Sequence, residues 1–335
     1  MLPDAGLPRH IDPETGSAGG GINRAGTAVD ARMPSQQMQE KIATLRAQRA
    51  AAAGQPAPTL RQNRVNFDAR GDLYPLPGDA VVTEADAGGV PAHWIAVPGG
   101  VAGRVLLYLH GGGYQIGSFR SHGELASRLA RASGMRVLLP EYRLAPEHPF
   151  PAAVDDALAV WRWLRSVQGL SASALAVAGD SAGGGLAVAM MTALRDSGED
   201  LPAAAVLLSP WTDLSCSGAS VTERVSEDPI FVPDTLRQLA AAYLAGADPR
   251  TPLASPLFAR LDGLPPLLIQ VGTAELLLSD AEELAKSAAA AGVDVTVQAG
   301  EGLPHVYPAM LGTPEAAEAT DQAGAFLRDK AGRAG

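Results

Sequence analysis

Residues 174–183 read Ala-Leu-Ala-Val-Ala-Gly-Asp-Ser-Ala-Gly, and a second apolar run follows at 184–191. The first five of these residues have the length and composition of a buried strand, and the second run is typical of a buried helix. Ser181 therefore lies on a tight turn between strand and helix, where Gly179 and Gly183 leave the space that a Cβ would fill. This context predicts a serine nucleophile, whereas the pentapeptide alone would also fit an ordinary loop before a helix.

Strands and helices alternate along the rest of the chain. An edge hairpin is predicted from 80–84 and 92–97, and six further strands are predicted at 105–109, 137–139, 175–178, 204–208, 267–271 and 293–297. Helices are predicted between them at 123–132, 152–166, 182–197, 281–291 and 314–330. This alternation predicts an α/β fold with a mostly parallel sheet that helices cover on both faces.

Two segments interrupt this alternation. Residues 209–262 separate two strands and contain a predicted helix of their own at 233–244, so we interpret them as an insertion over the carboxyl edge of the sheet. Another helix is predicted at 36–53, with Met38 on a short apolar face that ends in solvent at Arg49. The insertion and this helix together would form a cap.

The N-terminal residues differ from the rest in composition. Residues 16–26 are rich in glycine and lack apolar periodicity, which predicts a flexible extension. Met33 offers an alternative start for the natural chain. The predicted organisation is an extension at 1–32, cap helices at 33–64, the first part of the core at 65–208, the insertion at 209–262 and the second part of the core at 263–335.

Composition disfavours several classes of protein. A net charge of −10 over 335 residues argues against nucleic acid and anionic membrane surfaces as partners. The single cysteine, Cys216, excludes an intrachain disulfide and a cysteine-rich metal site. No apolar run has the length of a transmembrane span, and the N-terminus lacks the pattern of a signal peptide. A soluble cytoplasmic protein is therefore expected.

A glycine-rich loop, His110-Gly111-Gly112-Gly113, follows the third predicted strand. Such a loop can turn its backbone N–H groups inward, where they would stabilise the negative oxygen that forms during acyl transfer. We predict an oxyanion hole of Gly111, Gly112, Gly113 and Ala182, in which Gly111 shapes the loop, and a structural role for His110. A flexible glycine loop is the simpler alternative. A phosphate-binding loop is disfavoured because neither the dinucleotide spacing nor a Gly-Lys-Ser/Thr ending is present.

An acid and then a histidine are expected to follow such a serine along the chain. His305 is the only histidine downstream of Ser181 and follows the last predicted strand, so it is predicted as the general base. Two carboxylates follow the strand at 267–271. Glu275 lies closer to the strand end and is predicted to orient the histidine, whereas Asp280 is better placed to cap the next helix. Mutation would separate these two alternatives.

These sequence blocks resemble the hormone-sensitive-lipase-like esterases of the α/β-hydrolase fold, also called bacterial family IV. The resemblance extends from Val65 onward and rests on the blocks 110–113, 141–147, 179–184, 209–214 and 304–307. Two positions depart from the family pattern, since Glu275-Leu276 replaces the more frequent Asp-Pro and Glu141 stands where Asp is usual. The resemblance implies an eight-stranded sheet, a helical cap and a Ser–acid–His triad.

The resemblance also implies a reaction. Ser181, Glu275 and His305 would hydrolyse short-chain acyl esters or small lactones through an acyl-enzyme, and this chemistry needs no metal or organic cofactor. The chain is similar to acetyl hydrolases and to monoterpene lactone hydrolases. An amidase or deacetylase with the same triad is one alternative. A ligand-binding protein on a hydrolase scaffold is another, although that class would be expected to lack a triad residue.

The substrate pocket and the partners complete the expectations. The pocket candidates are Tyr114, Asp180, Phe231 and Tyr307. Asp180 would alternatively anchor the turn before the nucleophile, and Asp228 in the insertion could also face the substrate. The expected partner is a small ester or lactone, and the edge strand at 293–297, if open, would allow a homodimer.

Overall fold

A computed structural model describes residues 22–23, 27–30 and 33–331 of the chain. Within these residues, ten strands form one sheet. In chain order they are β1 (Ile22–Asn23), β2 (Thr27–Asp30), β3 (Val81–Asp86), β4 (Pro91–Ala96), β5 (Val105–Leu109), β6 (Arg136–Pro140), β7 (Leu175–Asp180), β8 (Ala205–Leu208), β9 (Leu267–Gly272) and β10 (Val295–Gly300). Strands β3 to β10 are the eight strands expected from the sequence, so the predicted α/β sheet is confirmed.

The sheet is parallel through its centre. Its strand order is β1-β2-β10-β9-β8-β7-β5-β6-β4-β3. Strands β5 to β10 all run in one direction, and β4 joins them at one side as an antiparallel neighbour of both β3 and β6. The loops that follow the parallel strands therefore leave from the same carboxyl edge, which is where open α/β sheets bind ligands.

Helices cover both faces of the sheet. They are α1 (Gln36–Ala52), α2 (Leu60–Asp68), α3 (Arg70–Leu73), α4 (Phe119–Ser133), α5 (Ala152–Ser166), α6 (Ala182–Asp196), α7 (Ser220–Glu223), α8 (Pro233–Leu244), α9 (Leu278–Ala290) and α10 (Pro314–Ala331). Leu107 of β5 belongs to one core cluster with Trp161 of α5 and Met190 of α6, whereas the adjacent Leu106 belongs to a second cluster with Leu129 of α4. Alternate strand residues thus bury opposite faces. In the part of the chain that the structure describes, no helix combines the length and the apolar composition needed to cross a membrane.

Helix α4 begins earlier than the sequence indicates. The predicted start is residue 123, but the helix begins at Phe119. The hydroxyl of Ser118 accepts the N–H of Arg120 at 3.1 Å, and Glu141 accepts the N–H of Phe119 at 2.7 Å. These side chains satisfy N–H groups that the first turn of a helix leaves without partners. Glu141, which departs from the family pattern, therefore supports the start of α4.

The last parallel strand is not an open edge. Strand β2 pairs with β10 in parallel, beginning with Thr27 opposite Val297. The condition on which the sequence allowed a homodimer, an open edge at 293–297, is therefore not met, because a segment of the same chain occupies backbone N–H and C=O groups of this strand. Of the predicted flexible extension at 1–32, β1 and β2 are strands, and the remainder lies outside the described residues.

Helix α1 joins the C-terminal part of the chain to the insertion. Met38 and Ile42 form a hydrophobic cluster with Tyr307. Further along the same helix, Arg49 is half-buried and donates to the backbone carbonyl of Asp228. The sequence predicts that the apolar face of α1 ends in solvent at Arg49. This prediction is wrong, because the Arg49 guanidinium donates to backbone carbonyls of the insertion.

Candidate active site

Ser181 occupies a strained turn between β7 and α6. Its backbone angles, φ 52° and ψ −122°, lie outside the regions that L-residues usually adopt. Its N–H donates to the carbonyl of Leu208 on β8 at 2.8 Å, which fixes the turn against the neighbouring strand. A Cβ at Gly179 would run into the carbonyl of Gly183, and a Cβ at Gly183 would run into that of Leu109. Both positions therefore require glycine.

Three further non-glycine residues with positive φ lie in loops at the same edge of the sheet. They are Tyr114 at 60°, Ser209 at 45° and Val306 at 49°. These residues follow β5, β8 and β10, respectively. Strained backbone of this kind persists where the surrounding structure enforces it, and it is concentrated at functional sites. The carboxyl edge of the sheet is therefore the candidate active site.

The loops after β9 and β10 bring Glu275 and His305 together. Oε1 of Glu275 lies 2.9 Å from Nδ1 of His305, and both side chains are buried. The other carboxylate oxygen, Oε2, accepts the hydroxyl of Ser209 at 2.7 Å and the N–H of Gly272 at 3.0 Å. Because Glu275 accepts at Nδ1, that nitrogen carries the proton of the neutral imidazole and Nε2 is left as an acceptor.

Ser209 is a site residue whose role the sequence did not reveal. Its buried hydroxyl donates to Glu275 and accepts the N–H of Val306 at 3.0 Å. The preceding residue, Leu208, holds the N–H of Ser181. One strand end thus links the loops that carry Ser181, Glu275 and His305. The only indication in the sequence is that Ser209 opens one of the blocks shared with the family, at the end of a predicted strand.

Three carboxylates act on the pKa of His305. Burial by itself would lower this pKa, but Glu275, Asp228 and Asp180 together raise it above its ordinary value. Each carboxylate belongs to a different segment of the chain, so the effect arises from tertiary structure. Since the imidazole accepts a proton only when it is neutral, its capacity as a base is lost as the pH falls through this raised pKa.

Asp280, the alternative acid, contacts the insertion and not His305. Its Oδ2 accepts the N–H groups of Thr212 at 2.7 Å and Asp213 at 2.8 Å. Its Oδ1 has no hydrogen-bond partner among the described residues. Burial raises the pKa of Asp280 to about 7, although the two N–H groups act in the opposite direction. Of the two candidate acids, Glu275 is the one that the structure brings to His305.

Asp280→Asn should flatten the dependence of stability on pH. The native protein keeps the Asp280 proton up to about pH 7, whereas the unfolded chain loses it near 3.8, so the wild type loses stability as the pH rises through this window. An asparagine oxygen can still accept both N–H groups, but its amide cannot ionise. About 3 kcal/mol of the loss between pH 5 and pH 8 should therefore disappear. Free energies of unfolding in urea at about pH 5 and about pH 8 test this, and parallel changes in both proteins would contradict it.

The glycine loop presents backbone donors that are not used within the protein. The N–H groups of Gly112, Gly113 and Ala182 donate to none of the described residues. The N–H of Gly111, in contrast, donates to Oδ1 of Asp180 at 2.9 Å. The prediction that Gly111 belongs to the oxyanion hole is therefore corrected, because its donor is already engaged and anchors the loop. Gly112 has φ 118°, a conformation that essentially requires glycine.

Asp180 lies beneath this loop and not in a substrate pocket, which corrects the sequence prediction. It is 4% exposed, and its Oδ1 also accepts the Tyr108 hydroxyl at 2.6 Å. Its Oδ2 lies 3.4 Å from Nε2 of His122, a histidine to which the sequence assigns no role. Burial would raise the pKa of Asp180, but His122 and the hydrogen bonds lower it to about 2. The charged carboxylate thus holds the N–H of Gly111 in place.

His110 supports the same loop, as expected. Its Nδ1 lies 2.8 Å from the carbonyl oxygen of Gly111, and its ring stacks on Tyr142 with centroids 4.2 Å apart. The Tyr142 hydroxyl donates to the backbone carbonyl of His110 at 2.6 Å. Burial, together with the nearby His122, lowers the pKa of His110 to about 3. The ring is therefore neutral, and the block 141–147 braces the loop from behind.

The other pocket candidates differ in their surroundings. Tyr114 is 1% exposed, and its ring stacks on Tyr243 of α8 with centroids 3.7 Å apart. Tyr307 is buried in the cluster with α1. Both are therefore packed in the interior and are not displayed in an open pocket. Phe231 is half-buried, and its ring meets that of His305 edge-on with centroids 5.1 Å apart. Phe231 is thus the candidate that borders the proposed base.

A cavity of about 420 Å³ lies beside the glycine loop, between α2 and the segment 144–148. Arg64 and Glu147 line it and form a two-pronged ion pair, with both N···O distances at 2.7 Å. Ser181, Glu275 and His305 are not among its lining residues. In the described ranges, no group of three or more histidine, cysteine, aspartate or glutamate side chains is arranged to hold a metal ion.

Comparisons with known proteins bear on the same segments. A family described as having the alpha/beta hydrolase fold matches residues 106–309, which include Ser181, Glu275 and His305. An acetyl-hydrolase of Streptomyces hygroscopicus is 49% identical over 280 residues, which cover 82% of this chain and 91% of that protein. An ethyl acetate hydrolase of Pseudomonas putida is 37% identical over 216 residues, which cover 63% of this chain and 68% of that protein.

Solved structures are similar over most of the chain. The crystal structure of an esterase from the bacterial hormone-sensitive lipase family superimposes with a TM-score of 0.85. That protein is 44% identical, and the match covers 90% of this chain and 100% of the other. The fold of this chain therefore has a counterpart in a solved structure over most of its length.

Proposed function

Since the chain belongs to the alpha/beta hydrolase fold family and is a carboxylic ester hydrolase, we propose that it is a serine esterase for short-chain acyl esters or small lactones. The proposal is carried by the 2.9 Å contact between Glu275 Oε1 and His305 Nδ1 at the sheet edge where Ser181 is held on a strained turn. A carboxylate that orients an imidazole, and an imidazole that takes the proton of a serine, are the elements of nucleophilic acyl transfer.

In the first step, Ser181 Oγ attacks the carbonyl carbon of the ester and transfers its proton to His305 Nε2. Glu275 keeps the other imidazole proton on Nδ1 and stabilises the imidazolium. The carbonyl oxygen becomes negative and accepts hydrogen bonds from the N–H groups of Gly112, Gly113 and Ala182. These donors are fixed before the reaction begins, so they need no reorganisation when the charge develops.

In the second step, the C–O bond to the leaving alcohol breaks and His305 donates its proton to that alcohol. Water then attacks the acyl-enzyme, gives a proton to His305 and releases the acid. Ser181 recovers its proton from His305 at the end. A lactone follows the same course, except that the leaving hydroxyl stays attached to the acyl group.

The surroundings of the glycine loop favour a small acyl group. Leu239 of α8 lies directly over Gly113, where a Cβ would come within 2.8 Å of its methyl carbon. On the other side, the Phe231 ring borders His305. We therefore assign residues 209–262, together with the N-terminal segment 33–64, to a cap over the nucleophile. The names of two relatives, an acetyl-hydrolase and an ethyl acetate hydrolase, support a short acyl chain.

Hydrolysis of p-nitrophenyl esters from acetate to laurate tests this proposal. We expect kcat/KM to be highest between acetate and butyrate and to fall more than about tenfold at laurate, because Leu239 and Phe231 leave little room for a long chain. Widening this space with Leu239→Ala should move the optimum towards longer chains. An optimum at laurate, or a profile that Leu239→Ala leaves unchanged, would contradict the assigned pocket.

The same assay separates the alternative functions. A small lactone and the anilide of the best acyl group are compared with the corresponding ester at equal concentration. Faster turnover of the anilide would favour an amidase or deacetylase with the same triad. Binding of esters without turnover would favour a ligand-binding protein.

A further inference from the structure

Asp228 is a buried carboxylate that the mechanism above does not use. It lies in the insertion between α7 and α8 and is 1% exposed. Its Oδ1 accepts the N–H groups of Ile230 at 2.7 Å and Phe231 at 2.9 Å. Its Oδ2 accepts the N–H of Leu276 at 2.9 Å. One side chain thus joins the insertion to the loop that carries Glu275.

Two of these hydrogen bonds, those from Phe231 and Leu276, involve residues next to His305 or to its acid, Glu275. The Phe231 ring meets the imidazole edge-on, with centroids 5.1 Å apart and an interplanar angle of 70°. Leu276 follows Glu275, whose carboxylate contacts Nδ1 of the same imidazole. Asp228 therefore fixes the backbone of Phe231, whose ring contacts His305. Through the N–H of Leu276 it also fixes the loop that carries Glu275.

In the part of the chain that the structure describes, no lysine or arginine neutralises the charge of Asp228. Among the described residues none forms an ion pair with its carboxylate, since Arg49 donates to its backbone carbonyl and Arg224 pairs with Glu227 at 2.6 Å. Burial raises the pKa of Asp228, whereas the three N–H groups and His305 act in the opposite direction. His305 is thus the basic side chain with which this carboxylate interacts.

We propose that Asp228 is a positioning residue of the ester-hydrolysing site, which holds Phe231 and the Glu275 loop against His305 and supplies a second negative charge to the imidazolium. Glu275 acts by a direct hydrogen bond, whereas Asp228 acts through the backbone and through space. At a pH above the pKa of His305 the imidazolium forms only when Ser181 loses its proton, so there this charge stabilises the transition state more than the resting enzyme. This role rests on the proposed function, which makes His305 the base.

Titration of His305 in Asp228→Asn tests the proposal. The variant keeps the shape of the side chain but loses the charge and one of the two acceptor oxygens. In ¹³C-histidine NMR, with the His305 signal identified by its loss in His305→Gln, we expect the titration midpoint to fall by about half a pH unit or more. The acid limb of kcat/KM should shift in the same direction, and kcat should fall at least about tenfold with a smaller change in KM.

Asp280→Asn is the matched control. Asp280 is equally buried, follows Glu275 in the same segment and also accepts two backbone N–H groups, but it is not among the groups that raise the pKa of His305. Its variant should leave the titration midpoint unchanged. The other charged groups that act on His305, namely Glu275 and Asp180, are intact in both variants. Rescue of the midpoint by Asp228→Glu would further separate loss of charge from loss of structure.

Each outcome supports the role of Asp228 or overturns it. An unchanged midpoint in Asp228→Asn, or an equal shift in Asp280→Asn, would overturn it. If Asp228→Asn does not fold, Asp228→Ser is titrated in its place with the same expectation, because its hydroxyl still accepts a backbone N–H.

The NMR measurement does not depend on turnover. A wild type without esterase activity would therefore contradict the proposed function while leaving the titration result interpretable. An active wild type with an unshifted midpoint in the variant would contradict only the role of Asp228.

Discussion

Ser181→Ala should reduce the turnover of p-nitrophenyl acetate by about 10⁴-fold or more. Without Oγ no acyl-enzyme forms, and water must attack the ester unaided. Alanine keeps the Cβ at φ 52°, so the strained turn and its bond to Leu208 should persist. The N–H donors of Gly112, Gly113 and Ala182 are also unchanged. The loss should therefore lie in kcat, and the free energy of unfolding should remain close to that of the wild type.

Ser127→Ala is the matched control for this experiment. Ser127 is also buried, but its hydroxyl donates at 2.7 Å to the Glu124 carbonyl within α4, outside the candidate active site. Its variant should keep full turnover. Activity that survives in Ser181→Ala would remove Ser181 as the nucleophile. An aryl phosphonate gives a second readout, because it should add to the serine with release of phenolate, and mass spectrometry of peptides should locate the label on Ser181 alone.

Glu275→Gln should lower kcat by about 10³- to 10⁴-fold. The glutamine oxygen can take the place of Oε2, where it accepts from Ser209 and Gly272, which directs its amide group towards His305 Nδ1. An amide N–H cannot accept a proton from Nδ1, so the imidazole would change tautomer and Nε2 would carry the proton. A protonated Nε2 cannot take the proton of Ser181. The measurement is kcat on the best ester in the chain-length series.

The comparison with Asp280→Asn separates the two candidate acids. Both substitutions replace a buried carboxyl group by an amide in the same segment, but of the two only Glu275 contacts His305. We expect Asp280→Asn to retain most of the activity while its stability responds less to pH. The reverse result, with activity retained in Glu275→Gln and lost in Asp280→Asn, would make Asp280 the acid.

Local patterns were sufficient for the elements that carry the nucleophile. The apolar run before Gly179 and the helix after Ser181 lie within about twenty residues, so periodicity and glycine spacing could place the turn without knowledge of the rest of the chain. The insertion helix was predicted with the bounds of α8, because Pro233 suits the first turn of a helix. The helix ends at Leu244, and the next residue, Ala245, has a left-handed conformation.

Local patterns could not show which donors and acceptors meet across the fold. Gly111 was predicted as a part of the oxyanion hole, but its N–H is taken by Asp180, 69 residues away. The sequence left open whether the edge at 293–297 is free, and β2 pairs with it from the opposite end of the chain. Both cases concern hydrogen bonds between segments that are distant in sequence, for which periodicity carries no information.

The sequence alone determined three features of this protein, because each can be recognised from neighbouring residues. They are the positions of Ser181, an acid and His305 in this order along the chain, the alternation of strands and helices, and the glycine loop. The sequence favoured Glu275 over Asp280, but the contact of Glu275 with His305, the raised pKa of His305 and the contacts of Asp228 were decided only by the tertiary structure. Thr212 and Asp213 at the start of the insertion engage Asp280, and this leaves Glu275 as the acid in contact with His305. Hydrogen bonds and buried charges act over a few ångströms in space, whatever their separation in sequence.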